Sequence, residues 1–336
     1  MIKDAIAKLI EGQSLTEIEA ESVMLEIMDG QGTSSQIASY LTALRIKGET
    51  VEEITGSARA MRAKALRIRP TDPLVVDTCG TGGDGAGTFN VSTTVAFVLA
   101  GSGLTVAKHG NRAISSACGS ADVLTALGVR IDLSPERVED CVNEIGVGFL
   151  FAPMFHTAMK HAAATRQEIG IRTIFNLLGP LTNPAGASIQ IIGVYAEALT
   201  DTLAKVLMNL GSRHCYVVHG LDGLDEITLT TRTRVTEARA GRITSYFIEP
   251  GDFGFERVRL KDLSGGTIEE NARITRDILE GREGPRQQLV LLNAAPAFVA
   301  SGKAATLQEG VERGRAVIRS GAAMQKLESL IKYTNR

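Results

Sequence analysis

Hydrophobic residues recur at helical spacing through residues 2–67, with polar residues between them, which is typical of short amphipathic helices. Candidate N-terminal caps divide this stretch. Ser14 with Glu17 and Thr50 with Glu53 have the spacing of capping boxes, in which each side chain bonds the backbone of the other residue. The pattern therefore predicts four helices and no strand at the start of the chain.

From Leu74 onward the hydrophobic runs become shorter and alternate with helical patterns. Runs such as LVVD, LTVA, GFLF, IQIIGVY and HCYVVHG predict buried strands, and helical segments follow most of them. That alternation favours a mostly parallel sheet covered by helices. Between Ile227 and Ile248 hydrophobic and polar residues alternate, and Ala240-Gly241 marks a turn. We therefore expect an antiparallel section on the sheet edge.

The predicted fold class is α/β, with a small N-terminal helical domain and a larger domain whose mostly parallel, mixed-edge sheet is covered by helices. The pattern changes near residues 69–73. We therefore place the helical domain at residues 1–70, joined by part of residues 165–190, and the α/β domain at residues 71–336. Four short helices bury little surface alone, so their apolar faces fit either the main domain or a second copy of the chain.

Composition excludes several classes of function. The net charge of −2 argues against a nucleic-acid or anionic-membrane partner, and 4% aromatic residues without Trp argue against a base-stacking surface. The most apolar run, residues 95–107, is too short to span a bilayer. The four cysteines are scattered without metal-ligand spacing, and residues 1–13 do not resemble a signal peptide. These features indicate a cytoplasmic protein.

A glycine-rich segment, Gly80 to Asp84, lies between a predicted strand and a helix that begins around Asn90. Glycines let the backbone approach a ligand closely, and amides at a helix start bind anions. The hydroxyls of Ser92 and Thr93 would add donors. The segment matches neither the P-loop nor the dinucleotide fingerprint. A plain tight turn is the alternative, but the position between strand and helix favours phosphate binding.

A basic turn, Lys108 to Arg112, directly follows the predicted strand LTVA. The carboxyl ends of strands are where open α/β sheets bind ligands, and two cations there suit a multiply phosphorylated molecule. Ser115, Ser116 and Ser120 would supply further donors. A solvated basic turn would explain the cations, but not the small hydroxyl residues around them.

An acidic loop follows another predicted strand and carries Asp222, Asp225 and Glu226. Three carboxylates beside glycines suit Mg²⁺, which takes oxygen ligands and often bridges to substrate phosphates. A solvated acidic turn is the alternative interpretation. The position at a strand end of the same sheet favours the metal.

A fourth candidate group, His156, Lys160 and Arg166, falls on one predicted helix from about Phe155 to Ile169. Arginine recognises planar carboxylates through two parallel hydrogen bonds, so Arg166 is a candidate for binding a carboxylate ligand. The alternative is an ordinary surface salt bridge. No GxSxG elbow accompanies the histidines, so a serine hydrolase is a poor fit.

Three stretches of the sequence, which contain residues of all these segments, together resemble a known family. The stretch DTCGTGGDGAGTFNVSTTVAFVLAGSGLTVAKHGNRAISSACGSAD is similar to the substrate-binding core of the anthranilate phosphoribosyltransferase family. RQEIGIRTIFNLLGPLTNPA and VVHGLDGLDEIT resemble two further signatures of that family, in the same order, and the likeness extends over nearly the whole chain. Thr125, Thr157 and Ala164-Thr165 depart from the family pattern, but none of them is an implied ligand.

The resemblance implies a homodimer formed through the helical domains. It also implies a reaction of tryptophan biosynthesis, in which anthranilate and 5-phosphoribosyl 1-diphosphate (PRPP) give N-(5-phosphoribosyl)anthranilate and diphosphate. Two Mg²⁺ ions would be the cofactors. No membrane or nucleic-acid partner is implied.

The resemblance also implies a role for individual residues. No residue is implied as an acid or base catalyst, and Lys108, Asn111 and Arg166 would position the substrates. Ser92, Asp225 and Glu226 would hold Mg²⁺. Anthranilate would contact Gly80, Asn111, Arg166, His109, His156 and Gly179. PRPP would contact Gly80, Gly83, Asp84, Thr88, Asn90, Val91, Ser92, Thr93, Lys108, His109, Gly110, Asn111, Arg112, Ala113, Ile114, Ser115, Ser116 and Ser120.

Two alternatives remain at this point. A pyrimidine nucleoside phosphorylase resembles this family in fold and in its lysine-containing loop, but the acidic loop at Asp225-Glu226 and the IGIRTIFNLLGPLTNP stretch favour the transferase. A non-catalytic nucleic-acid-binding relative of the fold would need a basic groove. The net charge of −2 argues against that relative.

Overall fold

The computed structural model describes residues 1–113 and 118–336. The chain begins with four helices and no strand, as the hydrophobic spacing predicts. They are α1 (Ile2–Ile10), α2 (Glu17–Met28), α3 (Ser34–Lys47) and α4 (Val51–Lys64).

The caps of these helices agree with the sequence prediction at α4 and differ at α2. Thr50 and Glu53 form the expected capping box. At α2 the box is formed by Thr16 and Glu19, so the assignment to Ser14 and Glu17 is wrong. Both pairs have the same spacing. The buried Leu15 decides between them, because its backbone N–H donates to the Glu53 carboxylate at 2.9 Å and thereby holds this part of the chain outside the helix.

The rest of the chain alternates strands and helices before ending in four consecutive helices. The strands are β1 (Val75–Gly80), β2 (Thr105–Gly110), β3 (Val147–Phe151), β4 (Ile189–Gly193), β5 (His214–Gly220), β6 (Thr233–Arg239) and β7 (Arg242–Ile248). The helices are α5 (Val91–Gly101), α6 (Ser120–Ala126), α7 (Pro135–Ile145), α8 (Ala152–Phe155), α9 (Lys160–Ile169), α10 (Phe175–Leu181), α11 (Leu199–Asn209), α12 (Ile268–Leu279), α13 (Pro285–Ala300), α14 (Leu307–Arg319) and α15 (Ala322–Thr334).

The seven strands form one sheet in the order β3-β2-β1-β4-β5-β6-β7. The first five are parallel, and β6 and β7 add an antiparallel edge. This confirms the predicted mostly parallel sheet with a mixed edge. The hairpin is shorter than expected, because residues 227–232 form a loop and β6 begins only at Thr233. Ala240 and Gly241 both have positive φ, as the tight turn of a two-residue hairpin requires.

Two large hydrophobic clusters hold the elements together. One buries α5 and the C-terminal helices against one face of the sheet. The other joins α1–α4 to α9, α10 and α11 and to the other face of β4 and β5. Arg62 on α4 strengthens this junction by donating to the carbonyls of Leu181 and Leu210 at the ends of α10 and α11. The helical segment is therefore packed against the α/β part through α10 and α11.

The single helix predicted from Phe155 to Ile169 is wrong. The chain leaves α8 at His156, makes one turn of 3-10 helix over residues 157–159, and only then enters α9. At His156 the backbone has φ −111° and ψ 56°, outside the helical region. The break directs the His156 side chain into the interior, where it is 7% exposed.

In the described ranges, none of the helices has the length and apolarity that a membrane crossing needs.

Candidate active site

The parallel strands bring the three candidate segments to one edge of the sheet. The glycine-rich loop follows β1, the basic turn follows β2 and the acidic loop follows β5. In a parallel sheet all carboxyl ends lie on the same side, so segments far apart in sequence meet there. The Gly82 N–H donates to the Asp225 carboxylate at 2.8 Å, which joins the glycine loop to the acidic loop directly.

Glycines at the ends of β1 and β4 make this approach possible. A Cβ atom on Gly80 would lie 2.3 Å from Asp225 Oδ2, and one on Gly193 would lie 1.5 Å from the Asp225 backbone oxygen. Either distance is far inside van der Waals contact, so the acidic loop could not pack here against any larger residue. Because Gly80 has no side chain, it leaves the space that Asp225 occupies, and this is its main contribution to the geometry of the site.

The glycine loop presents backbone N–H groups. Within the described residues, the amides of Gly83, Asp84 and Gly85 have no acceptor among the backbone and side-chain hydrogen bonds of the loop, whereas Gly82 and Ala86 donate to carboxylates. Helix α5 begins just beyond, and its N-cap residue Asn90 makes no capping bond with its side chain. Oriented amides without partners beside a helix start form an anion-binding geometry.

A buried lysine and aspartate lie beneath this loop. Lys108 Nζ donates to the Thr78 carbonyl at 2.6 Å and to Ser92 Oγ at 3.2 Å. Asp77 is fully buried and accepts a hydrogen bond from the His109 backbone at 3.2 Å. Burial lowers the pKa of Lys108 and raises that of Asp77, while their mutual attraction opposes both shifts. Sequence reasoning singled out Lys108 and missed Asp77.

Asp225 and Glu226 form a carboxylate centre beside Lys108. Burial, followed by repulsion from Asp84, raises the pKa of Asp225 to about 7. Burial and then Asp225 raise the pKa of Glu226, while Lys108 and a hydrogen bond from the Ser92 backbone act in the opposite direction. Such raised pKa values indicate a concentration of negative charge that a bound cation would stabilise.

The donor atoms here fit Mg²⁺. The Ser92 hydroxyl and the carboxylates of Asp225 and Glu226 are hard oxygen ligands, and Mg²⁺ typically uses one or two protein carboxylates together with substrate phosphates. Among residues 1–113 and 118–336, no group of three or more His, Cys, Asp and Glu side chains is arranged as a ready-made metal site.

Asp222 does not belong to this centre, although the sequence analysis grouped it with the other two acids. Its Oδ2 accepts hydrogen bonds from the hydroxyls of Thr228 and Thr230, and its Oδ1 accepts from the Leu224 backbone at 3.2 Å. These bonds close the turn after β5. Asp222 thus shapes the loop that carries Asp225 and Glu226.

His109 and His156 lie beside each other. His109 follows Lys108 on β2, so the side chains of Lys108 and His109 point to opposite faces of the sheet. The ring centroids of His109 and His156 are 5.0 Å apart, and His109 Nδ1 lies 3.2 Å from the Gly179 carbonyl oxygen. Burial lowers the pKa of His109 to about 3 and that of His156 to about 4. Both rings are therefore neutral at pH 7. Their Nε2 atoms are buried and have no hydrogen-bond partner within the described parts of the chain.

Arg166 lies on α9, with its guanidinium 4.8 Å from the centre of the Phe175 ring on α10. Burial lowers its pKa, and no charged neighbour in the described ranges adds to that shift. Among the described residues no acidic side chain pairs with Arg166, which argues against the alternative of a surface salt bridge. Lys160, on the same helix, is exposed.

The basic turn after β2 is held by Asp122. Arg112 pairs with the Asp122 carboxylate at 2.8 Å, and the Ala113 N–H donates to it at 3.0 Å. Ser120 Oγ donates to the Asn111 carbonyl at 3.2 Å, just beyond the end of β2 at Gly110. Sequence reasoning missed Asp122. The predicted ligands Ile114, Ser115 and Ser116 lie outside the described residues.

The remaining predicted residues surround the start of α5. Thr88 forms an isolated bridge with Ser264. Asn90 Nδ2 donates to the Cys118 carbonyl at 3.1 Å. Asn90 Oδ1 and Thr93 Oγ1 are buried with no partner in the described ranges. The Val91 side chain is buried in the core, so only its backbone can face a ligand.

A helical bundle packed on a mostly parallel sheet, with glycine-loop amides, a buried lysine and paired carboxylates at one strand-end edge, is typical of an α/β enzyme that binds anionic ligands. The chain belongs to the glycosyl transferase family: the model of its α/β domain matches residues 72–324, and that of its helical bundle domain matches residues 3–65.

Named relatives are more specific. The chain is 55% identical over 335 residues to the anthranilate phosphoribosyltransferase of Symbiobacterium thermophilum, covering 100% of this chain and 98% of that protein. The crystal structure of the Thermus thermophilus anthranilate phosphoribosyltransferase superposes with a TM-score of 0.94 at 45% identity, covering 99% of this chain and 100% of that one. The Saccharomyces cerevisiae enzyme, in complex with PRPP and Mg, gives 0.91 at 30% identity over 99% of this chain and 98% of that one.

Proposed function

We propose that the protein transfers the phosphoribosyl group of PRPP to the amine of anthranilate, giving N-(5-phosphoribosyl)anthranilate and diphosphate in tryptophan biosynthesis. One observation carries the proposal. At one edge of the sheet lie Lys108, the glycine loop and the Asp225-Glu226 pair. His109, the residue next to Lys108, lies beside His156, and both of these rings are neutral. The names of the relatives favour this reaction over the nucleoside phosphorylase and nucleic-acid-binding alternatives.

The donor half would bind PRPP through the glycine loop, the start of α5 and the basic turn. The amides of Gly83 to Gly85, which have no acceptor among the described residues, and the cation of Lys108 suit the phosphate oxygens. Negative charge develops on diphosphate as it leaves, and preorganised donors stabilise that charge without reorganisation. The other PRPP residues implied by the family resemblance stay in the proposal, including Ile114, Ser115 and Ser116.

Mg²⁺ would be held by Ser92, Asp225 and Glu226, and we propose two ions when PRPP is bound. The raised pKa values of both carboxylates support a cation at this position. When bound, the metal supplies positive charge that stabilises the diphosphate oxygens.

The acceptor half would bind anthranilate through Arg166, with Asn111 and the Gly80 backbone nearby and with His109, His156 and Gly179 along its path. An arginine to which the described part of the chain offers no acidic partner suits a planar carboxylate. Anthranilate's aromatic amine is already neutral at pH 7, and the two imidazoles are neutral as well. The chain therefore needs to position the amine against the ribose carbon rather than to deprotonate it first.

A fluorescence assay tests the proposed activity. The protein is mixed with anthranilate, PRPP and Mg²⁺, and the loss of anthranilate fluorescence is followed, with chelation of Mg²⁺ as the control. We expect a loss that depends on all three additions. The proposal fails if fluorescence is unchanged in the complete mixture.

We also propose a homodimer formed through the helical domain. Ile10 on α1, Ile18 on α2 and Ile46 on α3 are 70%, 76% and 81% exposed, and a second copy of the chain would bury such apolar side chains. Sedimentation of the wild type should give a dimer, and Ile18→Glu should shift it toward the monomer. A wild type that sediments as a monomer at all concentrations would contradict the proposal.

The domain boundaries remain at residues 1–70 and 71–336, with part of residues 165–190 joined to the helical domain. The ends of the two family matches, at residues 65 and 72, support this division. We further propose a cytoplasmic location. All four cysteines lie in the described residues as free thiols, as is usual in reducing compartments.

A further inference from the structure

Arg172 connects the acceptor side of the site to the glycine loop. It lies between α9, which carries Arg166, and α10, which carries Gly179. Its guanidinium donates a hydrogen bond to the Gly83 carbonyl in the middle of the glycine loop. The same group stacks over the Tyr195 ring, with 4.4 Å between the guanidinium carbon and the ring centre.

The start of the glycine loop is fixed from the same side. The Thr81 N–H donates to the Gly193 carbonyl at 2.9 Å, and the Tyr195 N–H donates to Thr81 Oγ1 at 3.2 Å. Tyr195 therefore supports Thr81 with its backbone and Arg172 with its ring. Gly83 lies two residues further along the loop, where Arg172 provides the next contact.

Planarity of the peptide bond gives the Arg172 contact a consequence for the neighbouring amide. In a trans peptide the carbonyl of one residue and the N–H of the next point in opposite directions. A Gly83 carbonyl held by Arg172 therefore turns the Asp84 N–H away from the guanidinium. Asp84 N–H is one of the loop amides without an acceptor in the described ranges.

Gly83 itself allows this close arrangement. Its φ of +77° lies in the region that favours glycine, and a Cβ there would be 3.0 Å from Arg172 Nη2. A peptide next to glycine also rotates with little steric hindrance. Without Arg172 the Gly83–Asp84 peptide could turn and present its carbonyl oxygen where an anion should meet an N–H group.

We propose that Arg172 is a positioning residue for the phosphoribosyl donor: it fixes the orientation of the Gly83–Asp84 peptide so that the glycine-loop amides face the diphosphate of PRPP. The inference rests on the proposed function. It assigns Arg172 to the donor PRPP, although Arg166 and Gly179, which lie near it in sequence, are proposed to contact the acceptor anthranilate. Tyr195 assists by holding the guanidinium against its ring.

Steady-state kinetics of Arg172→Lys and Arg172→Met test this assignment. The lysine keeps the charge but loses the planar group that stacks and donates. We expect the KM for PRPP to rise about tenfold in both variants, as for loss of a charge-assisted hydrogen bond, and the KM for anthranilate to stay within about twofold. Arg273→Lys, an exposed arginine on α12, is the matched control and should match the wild type.

A binding measurement separates this inference from the proposed reaction. Calorimetry with inorganic diphosphate and Mg²⁺ needs no acceptor, so it remains informative even if the protein does not use anthranilate. Diphosphate should bind about tenfold more weakly to Arg172→Lys than to the wild type. Tyr195→Leu should show a smaller change in the same direction, and Tyr195→Phe should show none.

Two results would overturn the assignment. If the wild type and Arg172→Lys had equal affinity for diphosphate and equal KM for PRPP, the Gly83–Asp84 peptide would not need the contact with Arg172 to keep its orientation. An increase confined to the KM for anthranilate would place Arg172 with the acceptor. Unchanged thermal unfolding of Arg172→Lys is the check that the variant is folded.

Discussion

The donor and acceptor sides of the candidate site use opposite electrostatics. Around the donor side, Asp77 and Lys108 are buried and Asp225 and Glu226 are half-buried, and desolvation shifts the pKa values of all four. Attraction between Lys108 and both Asp77 and Glu226 opposes those shifts. On the acceptor side, burial holds two imidazoles neutral, and the charged Arg166 stacks on an aromatic ring. The two sides begin at adjacent residues of one strand, Lys108 and His109.

This contrast fits the two ligands that we propose. A diphosphate carries several charges, so its site would concentrate cations and amides, and metal ions would neutralise the carboxylates beside it. Anthranilate has one carboxylate and an amine that must stay unprotonated. Neutral rings beside it would not transfer a proton to that amine, and one arginine would be enough to orient the carboxylate.

The largest expected effect lies at the carboxylate centre. Asp225→Asn with Glu226→Gln removes the charge of both proposed metal ligands while keeping the shape of their side chains. We expect Mg²⁺-dependent turnover to fall by about a hundredfold or more, because transition-state charge stabilisation of this kind contributes several kcal/mol. The measurement is initial rate against Mg²⁺ concentration at saturating substrates.

Asp222→Asn is the control on the same loop. It weakens the turn made with Thr228 and Thr230 but leaves the two proposed ligands, so the protein should lose some stability and keep the wild-type response to Mg²⁺. If the double variant retained that response too, the carboxylates would not be the metal site.

The next effect lies at Arg166. Arg166→Ala removes the guanidinium proposed for the anthranilate carboxylate, and a lost charge-assisted hydrogen-bond pair costs about 2 kcal/mol or more. The KM for anthranilate should therefore rise roughly thirtyfold, while the KM for PRPP changes less than about threefold. Lys160→Ala, exposed on the same helix, should affect neither constant. Equal increases for both substrates would show that Arg166 serves the whole site rather than the acceptor.

The smallest effect concerns the pH dependence of stability. His156 has a pKa of about 4 in the folded protein and an ordinary value near 6.5 when unfolded. A depressed folded pKa contributes stability that is complete above pH 6.5 and is lost as pH falls toward 4. Between about pH 7.5 and pH 5, His156→Asn should lose roughly 2 kcal/mol less unfolding free energy than the wild type.

Urea unfolding at the two pH values measures this difference. His161→Asn replaces an exposed histidine on α9 and should leave the wild-type pH dependence unchanged. A His156→Asn variant with the full wild-type loss at low pH would mean that His156 is not held neutral, and the contrast between charged donor side and neutral acceptor side would weaken.

Local pattern predicted most of the fold, and its errors have specific causes. Two boxes with identical spacing competed at α2, and the buried Leu15, tied to Glu53 on another helix, selected Thr16. The continuous helix through His156 failed because the buried contact of that ring with His109 is not visible in local spacing. Asp222 was grouped with the two proposed metal ligands because loop position does not reveal which carboxylates already bond threonines.

For the candidate site, residue type and strand-end position were enough to single out Lys108, Arg166 and the Asp225-Glu226 pair. They did not single out Asp77, which lies inside a strand, or Arg172, which lies within a recognised segment but had no visible partner. Asp77 could have been found as an acid within an otherwise apolar strand pattern. Arg172 could not, because its partner is the carbonyl of a glycine.

The sequence alone therefore determined the types of element, the succession of helices and strands, and the chemical groups available at each strand end. Those properties depend on periodicity and on residues only a few positions apart. Tertiary structure alone decided which groups meet. Arg172 contacts Gly83 across 89 residues, and Gly82 donates to Asp225 across 143. The strand order places β1 between β2 and β4, so loops distant in sequence meet at one edge, and burial there sets their pKa values.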